Sequence, residues 1–121
     1  MPTTIALSSE QQGISQDGSR GLTGIFTLTP GTTATAGEAI TSELDDHFQS
    51  IDSIEPGGVS AVALASYTPV FQFTPGGLLS AHAVTLFWLA VSGDPGALGI
   101  SNSVDLSEVG TLQIKVTGKP A

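Results

Sequence analysis

The chain has no cysteine, which removes disulfide scaffolding, thiolate chemistry and cysteine-ligated zinc from consideration. Basic residues are almost as scarce: Arg20, Lys115 and Lys119 are the only three among 121 residues. Three cations cannot form a patch that tracks a phosphate backbone, so nucleic acid is not an expected partner. Charged residues of both signs reach only 12 %, against about 25 % in a typical soluble domain. No apolar run approaches the ~20 residues a helix needs to cross a bilayer, so no membrane contact is expected. The opening MPTTIALSSEQQG lacks a basic region followed by a long apolar stretch, so synthesis in a cytoplasm is the expectation. Two catalytic signatures are missing as well. There is no GxSxG elbow to present a nucleophilic serine and no GxxxxGK[ST] loop to cradle a phosphate.

What the chain does have is an apolar stretch at residues 83–91, AVTLFWLAV, holding the only tryptophan. With a period of two, Val84, Leu86, Trp88 and Ala90 share one face, opposite Ala83, Thr85, Phe87, Leu89 and Val91. Both faces are apolar, which predicts a central strand covered on both sides, by core on one and by a second layer or a partner subunit on the other. Ser92-Gly93-Asp94-Pro95-Gly96 ends the run with turn chemistry.

The other segments are short and separated by Gly/Pro turns. Residues 1–21 read as a flexible or extended arm with at most a short strand near Thr3–Leu7, because the remainder is polar and interrupted by Gly13, Gly18 and Gly21. Residues 22–121 read as a single β-rich domain. In residues 22–29, Leu22, Gly24, Phe26 and Leu28 alternate with Thr23, Ile25, Thr27 and Thr29, as in a strand with one buried face. Residues 42–50 favour a short helix, since Ile40, Leu44, Phe48 and Ile51 recur at helical spacing, with Thr41 or Ser42 as caps before acidic residues. Residues 59–66 and 67–74 favour strands, the second placed at an edge by Pro69. Residues 92–110 read as loop. Residues 112–117 alternate cleanly, with Leu112, Ile114 and Val116 inward, and Lys115 outward as an edge-protecting charge. The expected fold is all-β: a small antiparallel β-sandwich or jelly-roll-like barrel with one short helix.

Candidate chemistry is sparse. His47 stands between Asp45–Asp46 and the downstream Asp52 and Glu55, a grouping that suits a tuned base, an oxygen-ligand cation site or plain surface carboxylates around a turn. His82 beside the apolar stretch reads as a partly buried histidine. Asp94, Asn102 and Asp105 fall in the long loop region, where binding residues concentrate, and Tyr67 is the one ring free to serve as a sugar platform. None of these assembles into a catalytic, cofactor or metal set by spacing, so no enzyme activity and no cofactor are expected.

The polar amino-terminal stretch, the Ala/Gly/Thr-rich β-domain, the missing cysteine and the low charge together resemble the capsid decoration, or cement, proteins of tailed bacteriophages. That resemblance implies a structural virion protein made in the host cytoplasm and carried on the capsid surface. It further implies a homotrimer that binds the major capsid protein across capsomers. The oligomer face is then expected among Val59, Ala61, Ala63, Val84, Leu86 and Trp88. A carbohydrate- or ligand-binding β-sandwich module, or a phage tail or fibre component, fits the same residues.

Overall fold

The computed structural model describes residues 3–14, 20–32, 37–60, 67–90, 106 and 110–121. It is a small, mostly β domain of two antiparallel sheets and one short helix, consistent with a β-sandwich. The first sheet contains β1 (Thr4–Ile14), β2 (Arg20–Thr29), β4 (Phe48–Val59) and β7 (Leu112–Pro120), in the order β1-β2-β7-β4. The second contains β3 (Glu38–Ala39), β5 (Tyr67–Gln72) and β6 (Thr85–Ala90), in the order β3-β6-β5. The helix α1 (Thr41–Leu44) lies between β3 and β4.

The strands form where alternation gives each one an apolar row. Leu22, Phe26 and Leu28 on β2 and Leu112, Ile114 and Val116 on β7 are buried. They meet Val84, Leu86 and Trp88, contributed by β6 and the residue before it, in one core cluster. Full burial of each such side chain favours folding by about 1.5–3 kcal/mol. The intervening Thr23, Ile25, Thr27 and Thr29 are only half-buried, as the outer face of a sheet should be. The two sheets are tied at one margin, where the Thr3 N–H donates to Glu38 Oε1 at 2.6 Å.

Three expectations change. The amino-terminal stretch does not stand free as an arm, because β1 pairs with β2 from Thr4–Thr29 to Ile14–Arg20. A boundary at residue 22 therefore cuts through a paired sheet. The sequence hid this because most of β1 is exposed on both sides, so ladder hydrogen bonds hold it and apolar burial contributes little beyond Ile5. The helix is one turn, and Phe48–Ser50 belong to β4. Thr41 does not cap it; Thr41 Oγ1 accepts the Val84 N–H at 2.9 Å, and the Ile40 N–H donates to the Val84 carbonyl at 2.9 Å. Those bonds fasten α1 to the start of β6. Finally, β7 is an interior strand, so Lys115 guards no edge; it is flanked by Ile25 on β2 and Glu55 on β4. The edge assignment of residues 67–74 agrees with β5 at the end of its sheet. Of the strand expected over 59–66, Val59 ends β4 and residues 61–66 lie outside the described residues, as do 92–105 and 107–109 of the loop expected over 92–110.

Gly118 is the closest approach in the first sheet. A Cβ there would collide with the Ser50 carbonyl oxygen and lie 2.9 Å from Ile51 Cα, both backbone atoms that cannot swing aside. Gly118→Ala is expected to cost about 1–3 kcal/mol, the usual penalty of overpacking, read as a lower urea midpoint. Gly58→Ala, where a Cβ meets nothing within 4 Å, should leave the midpoint unchanged.

Candidate functional site

The acidic segment singled out in the sequence is divided by the fold. Asp45 and Asp46 are exposed on the turn after α1, whereas Asp52 is buried within β4 and Glu55 lies exposed further along it. His47 is half-buried, with its ring edge-on to Phe26 at 5.6 Å between centroids. It is thus part of the packing around Phe26 and Phe48, whose rings are 6.1 Å apart. His82 is exposed, contrary to expectation, because residues 78–82 form a turn that projects before β6 begins; its N–H donates to the Leu78 carbonyl at 2.9 Å. Among the described residues no three His, Cys, Asp or Glu side chains gather where they could hold a metal ion. Asp94, Asn102 and Asp105 lie outside the described residues. Tyr67 is half-buried and packed against the core, unlike the fully exposed ring expected of a sugar platform.

An open cleft of about 610 Å³ lies where the turn after α1 meets the loop following β5. Asp45, Asp46, Gln49 and Ser80 supply its polar rim, and Phe48, Leu78, Leu79 and Ala121 its remaining walls. Backbone bonds set its shape. The Leu79 N–H donates to the Gln49 carbonyl at 2.9 Å, Gly76 N–H to the Ile51 carbonyl at 2.8 Å, and Ala121 N–H to the His47 carbonyl at 3.1 Å. The loop is therefore stitched along the first half of β4, aided by a bridge between Ser50 and Leu78. Leu79 turns into the core, while Leu78 stays 48 % exposed as an apolar ledge beside the carboxylates. The sequence singled out Asp45 and Asp46, but for their proximity to His47. Gln49, Leu78 and Ser80 carried no signal, since only the folded loop brings them there.

Another groove, of about 480 Å³, lies on the first sheet, lined by Ser9, Glu10 and Gln11 of β1, Thr23 and Ile25 of β2 and Lys115 of β7. A bulge in β1 between Leu7 and Ser9 changes which residues face outward there.

The residues expected to form an oligomer face are placed differently from one another. Val84, Leu86 and Trp88 are all under 7 % exposed, inside the chain's own core, and have no area left for a neighbour. Trp88 thus faces the core, where its indole nitrogen has no hydrogen-bond partner among the described residues. Val59 is 41 % exposed at the end of β4, and Ala61 and Ala63 lie outside the described residues. The second apolar face of the organising strand is real, however. Thr85, Phe87 and Leu89 point away from the core and are half-buried, beside Val70 at 40 % exposure.

Beneath the cleft, the Ser50 hydroxyl is buried with no partner among the described residues. Ser50→Ala removes that unpaired group and is expected to leave stability unchanged or raise it by up to about 1 kcal/mol. A clear loss in urea denaturation would show instead that the hydroxyl is bonded. Comparison with protein-family models, with curated proteins and with solved structures finds no match to this chain.

Proposed function

We propose that this chain is a ligand-binding β-sandwich module that acts by recognition, without turnover, and that its site is the cleft between the turn after α1 and the loop after β5. The observation that carries this reading is the chemistry of that cleft. Two adjacent carboxylates, Asp45 and Asp46, stand with the Gln49 amide and the Ser80 hydroxyl around the exposed ledge of Leu78. Carboxylates accept hydrogen bonds from paired hydroxyls, an amide both donates and accepts, and an aliphatic ledge covers the C–H face of a sugar ring. A volume of about 610 Å³ lies within the ~300–1,000 Å³ usual for small-molecule sites. The net charge of −8 disfavours an anionic ligand, and the hydroxyl-accepting rim beside an aliphatic ledge suits a neutral carbohydrate.

The reading predicts that calorimetric titration with a panel of neutral oligosaccharides finds a ligand, and that amide shifts map to residues 45–49 and 78–80. Asp45→Asn with Asp46→Asn should weaken that ligand about tenfold or more, since a hydrogen bond to a charged group contributes about 1.5–3 kcal/mol. No heat and no shifts at millimolar sugar would sink it.

A second reading is favoured by a separate observation, the uncharged outer face of the second sheet. Neither Tyr67–Gln72 nor Thr85–Ala90 carries a charged residue, and a surface without ions is cheap to desolvate against another subunit. In this reading the chain is a structural virion subunit. It would be a trimeric decoration protein that bridges capsomers on the capsid surface, or a tail or fibre component. Multivalent docking would then turn weak single contacts into tight holding. Light scattering on the purified chain tests it: a stable species three times the 12.2 kDa chain mass is expected of a trimer. A monomer at every concentration would remove this second reading and leave the first untouched.

A further inference from the structure

We propose that residues 9–13 of β1 form a flap, hinged at Ser8, that lifts off β2 while the rest of the domain stays folded, and that residues 4–7 stay fastened through Glu38 as it does so. The flap forms one wall of the groove on the first sheet. Ser9, Glu10 and Gln11 line that groove together with Thr23 and Ile25 of β2 and Lys115 of β7. Lifting the flap therefore opens the groove and uncovers the backbone edge of β2.

The ladder sets the hinge. Leu7 pairs with Phe26 and Ser9 with Ile25, so Ser8 is the extra residue between two paired stretches. Such a bulge interrupts the ladder and bends the strand. The Ser8 hydroxyl reaches Thr27, Oγ to Oγ1 at 2.8 Å, which ties the hinge to β2. On the amino-terminal side of the hinge β1 is held by more than its ladder. The Thr3 N–H donates to Glu38 Oε1 at 2.6 Å, Thr3 is buried, and Ile5 packs on the core.

On the other side of the hinge the ladder acts alone. Residues 9–13 are all exposed, and β1 lies at the edge of its sheet with β2 as its neighbour. Glu10 stands opposite Gly24 and Gly13 opposite Gly21, glycines that offer no side chain to pack against. β2 does not need the flap, because β7 pairs with it from Leu22–Gly118 to Leu28–Leu112. Segments with few buried contacts open at lower free energy than the core. A hairpin ordinarily frays from the end away from its connection, which here is the Thr4–Thr29 end. The fastening at Thr3 and Ile5 reverses that order.

Amide hydrogen exchange on the full chain, followed by NMR at rising sub-denaturing urea, tests the proposal. The amides of residues 9–13 that bond to β2 are expected to exchange about tenfold or more faster than those of residues 4–7, with little dependence on urea, as a local opening does. The β7 amides should exchange only with the whole domain. Glu38→Ala removes the acceptor at Thr3 and should narrow the difference between the two halves of β1 by speeding residues 4–7 alone. Gly13→Ala, where a Cβ meets nothing within 4 Å, should slow exchange across the flap about two- to fivefold and leave β7 unchanged. Equal exchange along β1, or faster exchange at residues 4–7 than at 9–13, overturns the proposal. Flap exchange with the urea dependence of β7 overturns it too, since the segment then opens only on global unfolding. A difference between the halves that Glu38→Ala leaves intact also overturns it, since the fastening then lies elsewhere.

Discussion

The structure depends on β7, an interior strand that pairs with β2 on one side and β4 on the other. It joins the β1–β2 hairpin to β4, so two parts of the chain far apart in sequence become one sheet only through it. Its inner row of Leu112, Ile114 and Val116 is fully committed to the core. Its far end passes so close to β4 that Gly118 is required opposite Ser50 and Ile51. That contact has a consequence at the surface. β4 shifts register near Phe48–Ser50 and again near Ile51–Ser53, and these irregular steps coincide with the places where the loop after β5 bonds to β4. The cleft thus owes its existence to a strand that β7 holds in a kinked course.

The second sheet is positioned by a smaller device. α1 is only four residues long and has no side-chain cap of its own, so it would not persist in isolation. It persists because Ile40, Leu44 and Phe48 are buried around it and because Ile40 and Thr41 bond to Val84 at the head of β6. One turn of helix therefore locks the organising strand to the beginning of β4 and presents Asp45 and Asp46 at the cleft. The core and the cleft share this joint, so the acidic pair cannot move without disturbing the packing of Phe48.

Much of this was legible in residues whose environment is written in alternation. β2 and β7 follow from their apolar rows, and the edge position of β5 follows from Pro69. β1 was not legible as a strand over its full length because a polar edge strand held by its ladder has no burial pattern to read. The length of α1 was misjudged because Leu44 and Phe48, four residues apart, satisfy the helical period equally well when one ends a helical turn and the other starts a strand. The cleft was only partly legible. Asp45 and Asp46 are adjacent in sequence, but Leu78 and Ser80 arrive from some thirty residues later through backbone bonds that composition cannot reveal.

The organising strand shows why its two faces could not be told apart beforehand. Both rows of residues 83–91 are apolar, so periodicity alone gives the strand and leaves its orientation open. Packing decides the matter. The indole and the branched Val84 and Leu86 meet Phe26 and Ile114 in the shared core, where volume must be filled without gaps. The row with Thr85, which has a hydroxyl, and with space for Gly37 against Phe87, turns outward. This outward row stays half-buried, and the absence of charged residues on β5 and β6 distinguishes it within an acidic molecule. The cleft, whose rim carries Asp45 and Asp46, and this sheet face, formed by strands without charged residues, are chemically different surfaces on different elements.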